Sequence, residues 1–304
     1  MTTTLPAPFT TLISAAELQQ LQASGAPLRI FDCSFDLMQP AAGAAQFAEE
    51  HIVGAVHADL NQNLSAAHHA GAAQPAARAS GGRHPLPTRE ALAAWLASVG
   101  VRNDMQVVVY DRQNLNYCGR LWWILKWLGH ASVAVLDGGL AAWKAAGGAV
   151  ASGAGAAATD SAQTSPGTFQ LQAPLTRLVP VEQLVQHLGS AHQQVLDARA
   201  AARYRGETEP VDPVAGHIPG ALNRPFASNL DANGFFKSAD TLRAEFSALL
   251  GQRAPADVVH QCGSGVSAVP NLLAMEVAGL GGSALFAGSW SEWIEDPKRP
   301  VAKG

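Results

Sequence analysis

Apolar residues along this chain come in short blocks. Leu28–Asp32, Gln106–Asp111, Gln194–Asp197 and Asp257–Cys262 are nearly continuous apolar runs bounded by turn residues. Such runs suit parallel strands covered on both faces. Between them, apolar positions recur with helical period over Ala15–Ala23, Arg89–Ser98, Gly119–Leu128, Val181–Leu188 and Ala239–Leu250. Trp122, Trp123 and Trp127 share that period and read as packing against a sheet. Alternating strands and helices predict an α/β fold with a mainly parallel sheet flanked by helices. Ligand sites in such sheets lie beyond the carboxyl ends of the strands.

The blocks occur twice. His51-Ile-Val-Gly-Ala is echoed by His217-Ile-Pro-Gly-Ala, and Leu136-Asp-Gly-Gly by Phe286-Ala-Gly-Ser. Asp111 and Cys262 are 151 residues apart, Gly138 and Gly288 are 150 apart, and Trp143 and Trp293 are 150 apart. A near-constant offset across matched features implies two copies of one domain. The expected division is residues 1–150, a linker at 151–168 rich in small and polar residues, and residues 169–304. The Ala/Gly-rich stretch Ser65–Arg83 reads as a long surface loop within the first copy, and its His68-His69 pair carries no metal expectation.

Composition narrows the function. Hydrophobic residues make up 48% and charged residues 14%, which suits a chain with a large buried core. A net charge of −4 gives no nucleic-acid footprint, and no apolar run is long enough to span a membrane. The N-terminus lacks a basic start and an apolar stretch, and the cysteine count is odd, at 3. Both point to a reducing, cytoplasmic setting without a disulfide framework. Without C-x-x-C or H-x-x-x-H spacing, no metal is expected, and no cofactor is implied.

The chemistry concentrates at Cys262. It ends an apolar strand, and Gly263-Ser264-Gly265-Val266-Ser267 leads from it into a helical pattern near Ala268. A thiol there faces the N–H groups of a Gly-rich turn and the positive end of a helix dipole, which favours the anionic, nucleophilic sulfur. Pro270 falls in the first helical turn, where its missing N–H costs little. Cys33 and Cys118 lie in apolar contexts and read as inert core thiols. His51 and His217 read as structural residues of the repeat. A cysteine phosphatase or arsenate reductase would need arginine six residues after the cysteine, where this chain has Ala268.

Together, the duplicated pattern, Leu136-Asp-Gly-Gly-Leu140, His217-Ile-Pro-Gly220 and Cys262-Gly-Ser-Gly-Val-Ser267 resemble the tandem-domain sulfurtransferases of the rhodanese superfamily. The resemblance covers nearly the whole chain and implies two rhodanese-like domains, the first inactive with Asp111 at the cysteine position. It also implies a Cys262 persulfide passed to a thiol acceptor, such as thioredoxin or glutathione, or to cyanide. Cys-Gly-Ser-Gly-Val is similar to the mercaptopyruvate-type loop, whereas thiosulfate-type loops carry basic residues. The expected donor is 3-mercaptopyruvate, with thiosulfate as the alternative; a non-enzymatic sulfur-carrier or interaction module is a third reading.

The resemblance further implies a Ser–His–Asp relay that protonates the departing enolate, with Ser264 from the loop and His84 and Asp59 from the first copy. It implies Arg203 as the group that holds the donor anion. Gly263 and Gly265 let the backbone curl into a cradle that continues through Val266 and Ser267, and Ser289, Trp290 and Trp293 read either as a wall of the pocket or as core. Arg205 reads as a structural ion-pair partner. The chain departs from the mercaptopyruvate-type pattern in two places. Val211 and Asp212 stand where a second arginine is expected, so another basic group would have to enter, and Ala287 replaces a common aspartate.

Overall fold

In a computed structural model, residues 7–66, 77–153 and 167–304 are described. His68 and His69 lie outside them. The chain divides into two compact units, one holding Met1–Leu64 and Arg89–Leu175, the other Ser65–Thr88 and Thr176–Gly304.

The first unit contains β1 (Leu12–Ile13), α1 (Ala15–Ala23), β2 (Leu28–Asp32), α2 (Ala42–Glu49), β3 (His51–Ile52), β4 (Ala55–His57), α3 (Arg89–Ser98), β5 (Gln106–Tyr110), α4 (Cys118–Trp127), β6 (Val133–Leu136), α5 (Gly139–Ala145) and β7 (Val150–Ala151). Its main sheet has the order β1-β6-β5-β2-β4, with every pairing parallel. Its core includes Ile30, Val108, Leu136 and Trp143. Every residue of α4 is buried, which explains an apolar pattern that runs round the whole helix. Ser14 and Glu17 close a capping box at the start of α1.

The second unit contains β8 (Arg177–Leu178), α6 (Val181–Gln186), β9 (Gln194–Asp197), α7 (Ala201–Tyr204), β10 (Leu222–Asn223), a 3-10 turn (Phe226–Asn229), α8 (Ala239–Leu250), a second 3-10 turn (Pro255–Asp257), β11 (Val258–Gln261), α9 (Val269–Val277), β12 (Ala284–Leu285) and α10 (Ser289–Trp293). Its sheet, read in the equivalent direction, is β8-β12-β11-β9-β10, again all parallel. The two orders superpose strand for strand, which is the duplication seen in the sequence. Even the repeated histidines match. His51 Nδ1 lies 2.7 Å from the Phe47 carbonyl and the ring stacks on Phe47, while His217 Nδ1 lies 2.8 Å from the Tyr204 carbonyl and stacks on Tyr204.

The unit boundaries differ from the expected ones. The described residues of the expected Ser65–Arg83 loop, 65–66 and 77–83, fall in the second unit together with 84–88, and 167–175 stay with the first. In that last stretch the N–H groups of Gly167, Gln172 and Leu175 donate to the carbonyls of Ala97, Leu128 and Lys126. Backbone hydrogen bonds of this kind leave no hydrophobic period, so composition alone reads such segments as loops. Among the described residues, no helix is long and apolar enough to cross a membrane.

Candidate active site

Strand β11 ends at Gln261, and Cys262 follows it at the carboxyl edge of the sheet, almost fully enclosed. The turn to α9 is shaped by Gly265, whose φ is +74°. A Cβ there would lie 2.0 Å from the Ala287 carbonyl oxygen, so glycine is required both for backbone conformation and for space. Ser289 closes the turn from the other side. Its Oγ accepts from the Cys262 N–H at 3.0 Å and donates to the Phe286 carbonyl at 3.0 Å. The N–H groups of Trp290 and Ser291 donate to the carbonyls of Cys262 and Gly263 at 3.0 and 2.9 Å. Helix α10 therefore anchors the loop through its backbone.

The first unit shows what this loop is built to hold. At the equivalent place stands Asp111. Its Oδ1 accepts from the N–H groups of Gln113 and Leu115, both at 2.9 Å, and its Oδ2 from those of Tyr117 and Cys118 at 2.7 and 2.9 Å. Burial pushes the Asp111 carboxyl up from its ordinary range and these four donors oppose that. Both oxygens act as acceptors, the arrangement that suits a carboxylate. The same 151-residue offset carries Gln113, Leu115 and Tyr117 onto Ser264, Val266 and Ala268. Their N–H groups have no acceptor among the described residues of the protein. The fourth equivalent, the Val269 N–H, donates to the Val266 carbonyl at 3.1 Å, so the second loop offers three main-chain donors of an anion cradle, with a sulfur atom at the position of the carboxylate.

Ser264 and His84, expected as partners, are brought together: Ser264 Oγ lies 2.8 Å from His84 Nδ1, and both residues are buried. His84 reaches this position as part of the second unit, because residues 77–88 pack there. That segment is tied to α10 and the residues just beyond it. The N–H groups of Gly81, Gly82 and Arg83 donate to Glu292 Oε1, Glu295 Oε1 and Ser291 Oγ at 3.0, 3.1 and 3.0 Å. Asp59 lies in the first unit, where its Oδ1 accepts from the N–H groups of Asn61 and Gln62 and closes a local turn.

Arg203, on α7, faces the loop. A methyl group built on Gly263 would lie 3.7 Å from both of its terminal nitrogens. Arg203 also donates to Glu209 through Nε and Nη2, at 3.2 and 2.6 Å, and to Asp212 through Nη2 at 3.2 Å. Burial alone would raise the Glu209 carboxyl. The Arg203 bond and the N–H groups of Asp212 and Val211 prevail and hold it below its usual range. Arg205 pairs with Glu207 at 2.6 Å on the surface. Sequence reasoning missed Arg83, whose Nη2 comes within 3.2 Å of the same Gly263 methyl position. The chain neighbour of His84 was the available signal.

Trp290 does not wall a pocket. Its ring is wholly buried in the second core, its indole N–H donates to the Val214 carbonyl at 2.8 Å, and the Arg199 guanidinium covers the ring at 4.8 Å. Helix α10 is short and must bury its aromatic face, so Trp290 packs inward with Trp293. Val266 is also buried and can act only through its backbone, while Ser267 is half-buried. Cys33 and Cys118 are fully buried free thiols whose ionisation burial pushes far upward, as inert core residues require.

The fold recurs in known proteins. The rhodanese-like domain family matches residues 14–146 and 180–296. The chain is 46% identical over 298 residues, covering 96% of its length and 100% of the relative, to a probable 3-mercaptopyruvate sulfurtransferase of Pseudomonas aeruginosa. It is 40% identical over 296 residues, 96% of this chain and 97% of the relative, to a putative thiosulfate sulfurtransferase of Mycobacterium tuberculosis. Among solved structures it resembles a 3-mercaptopyruvate sulfurtransferase from Leishmania major with a TM-score of 0.76 and 30% identity, covering 97% of this chain and 76% of that one.

Proposed function

This chain belongs to the rhodanese family and is a sulfurtransferase, and on that premise we propose that Cys262 takes sulfur from 3-mercaptopyruvate and hands it to a thiol or cyanide. The observation that carries the reading is the cradle of main-chain N–H groups at the Cys262 loop, whose counterpart in the first unit holds the Asp111 carboxyl. The Cys262 thiolate attacks the donor sulfur, an S–S bond forms, and the C–S bond breaks with its electron pair passing to carbon. The cradle donors stabilise the anionic sulfur before the transfer and the persulfide after it. The pyruvate enolate that leaves needs one proton. The Ser264 hydroxyl supports its delivery, and His84 at 2.8 Å resupplies Ser264. An acceptor thiolate, such as that of thioredoxin or glutathione, or cyanide then attacks the outer sulfur and restores the Cys262 thiolate.

The donor assignment rests on the loop. Gly263 and Ser264 add no charge to it, and the carboxylate of the donor would be held from outside by Arg203. Reduced cysteines throughout fit a cytoplasmic setting. The test compares kcat/KM for 3-mercaptopyruvate and thiosulfate, together with intact-mass measurement after donor exposure. The expected results are a preference for mercaptopyruvate and a gain of one sulfur atom on Cys262, absent from Cys262→Ser. A preference for thiosulfate would overturn the donor, and sulfur retained by Cys262→Ser would overturn the nucleophile.

A further inference from the structure

Two guanidinium groups converge on the residue after the nucleophile. Arg203 comes from α7 and Arg83 from the segment preceding His84, and both reach within 4 Å of the same point above Gly263. Like charges do not gather without a cause. Asp212 supplies one, since its Oδ1 accepts from Arg83 Nη1 at 2.5 Å and its Oδ2 from Arg203 Nη2 at 3.2 Å. The carboxylate bridges the pair with one oxygen each and is almost wholly buried. This leaves Nη1 of Arg203 and Nη2 of Arg83 without an acceptor among the described residues, on the side of Gly263. Arg83 Nε is buried and likewise has no acceptor. Buried guanidinium donors normally find one.

The backbone fixes this geometry. Ser291 donates its N–H to the Gly263 carbonyl at 2.9 Å and accepts the Arg83 N–H on its Oγ at 3.0 Å. One residue thus sets the spacing between the arginine and the loop.

We propose that Arg83 is the second cation of the donor site: with Arg203 it grips the anionic group of the sulfur donor above Gly263, and Asp212 is the brace that holds the two guanidiniums side by side. The unused N–H groups of the two arginines match the two oxygens of a carboxylate, each oxygen taking a donor from one arginine. The inference rests on Cys262 as the sulfur-accepting group and applies to an anionic donor of either kind.

The experiment measures KM and kcat for wild type, Arg83→Gln and Arg83→Lys with 3-mercaptopyruvate, with thiosulfate, and with the uncharged donor 1-mercaptopropan-2-one. Thermal midpoints control for folding. Arg83→Gln should raise KM for the preferred anionic donor about 10- to 100-fold, with kcat within roughly threefold. Arg83→Lys, which keeps the charge and loses the fork, should fall between the two, and the uncharged donor should be handled alike by all three proteins. An unchanged KM for the anionic donor, or a fall in kcat at constant KM, would overturn the proposal. A wild type that prefers thiosulfate would remove only the mercaptopyruvate assignment, and the thiosulfate KM of Arg83→Gln then decides the role of Arg83.

Discussion

His260 stands two residues before the nucleophile with its imidazole entirely enclosed in β11. Nε2 lies 3.1 Å from Ser283 Oγ, and Nδ1 has no partner among the described residues. Burial lowers its pKa from 6.5 to about 3, so the native protein holds a neutral ring there. The unfolded chain binds that proton near pH 6.5 and the folded one does not. Stability from this group is therefore complete above about pH 6.5 and is lost as pH falls toward 3. Urea unfolding should show wild type losing roughly 2 kcal/mol more than His260→Gln between pH 7.5 and pH 5. Parallel stability curves for the two proteins would show that the imidazole is not held neutral.

At the scale of an element, the strand–loop–helix unit appears twice with different contents. In the first unit the anion is built into the chain as Asp111, and four N–H groups close on it. Asn114 and Leu115 accept positive φ values of 56° and 60° to make that closure. The second unit places Gly265 at the position of Asn114 and avoids the strain. Asp111→Ala should cost about 3 kcal/mol or more in chemical denaturation, since several buried donors lose their acceptor at once. Asp111→Asn, which keeps one carbonyl oxygen, should cost less. If Asp111→Ala proved as stable as wild type, the cradle would not be an anion-holding device, and the argument for the Cys262 loop would weaken with it.

At the scale of the whole molecule, the segment 77–88 carries Arg83 and His84 out of the first copy's sequence into the second unit. It is held by acceptors on and just after α10, of which Glu292 is the least comfortable. Burial raises the Glu292 carboxyl, the Gly81 N–H opposes that, and Glu295 nearby raises it further. A raised carboxyl stabilises the fold while protonated, at low pH, and that contribution is lost as pH rises through its folded value. Glu292→Gln keeps an acceptor for the Gly81 N–H and removes the charge. Its thermal midpoint should exceed that of wild type by about 1–2 °C at pH 7 and match it at pH 4, with activity retained. A lower midpoint at pH 7 would mean that the charge itself anchors the segment.

Much of this was written in local pattern. Apolar runs and helical period determined the strands, the main helices and the duplication, because each reflects burial of near neighbours in sequence. The Gly-rich turn after Cys262 was legible because few backbones other than that of glycine pass so close to the Ala287 carbonyl. The short helices α2, α7 and α10 were not, since they are set by what they pack against. Trp290 showed the same limit, being aromatic in sequence and wholly core in the fold. Only the tertiary structure decided which cations meet the loop. Arg83 and Asp212 are 129 residues apart, and their pairing depends on acceptors from around α10 that no periodicity announces. Long-range polar contacts are chosen by where the folded backbone places single atoms, and a one-dimensional pattern holds no record of that.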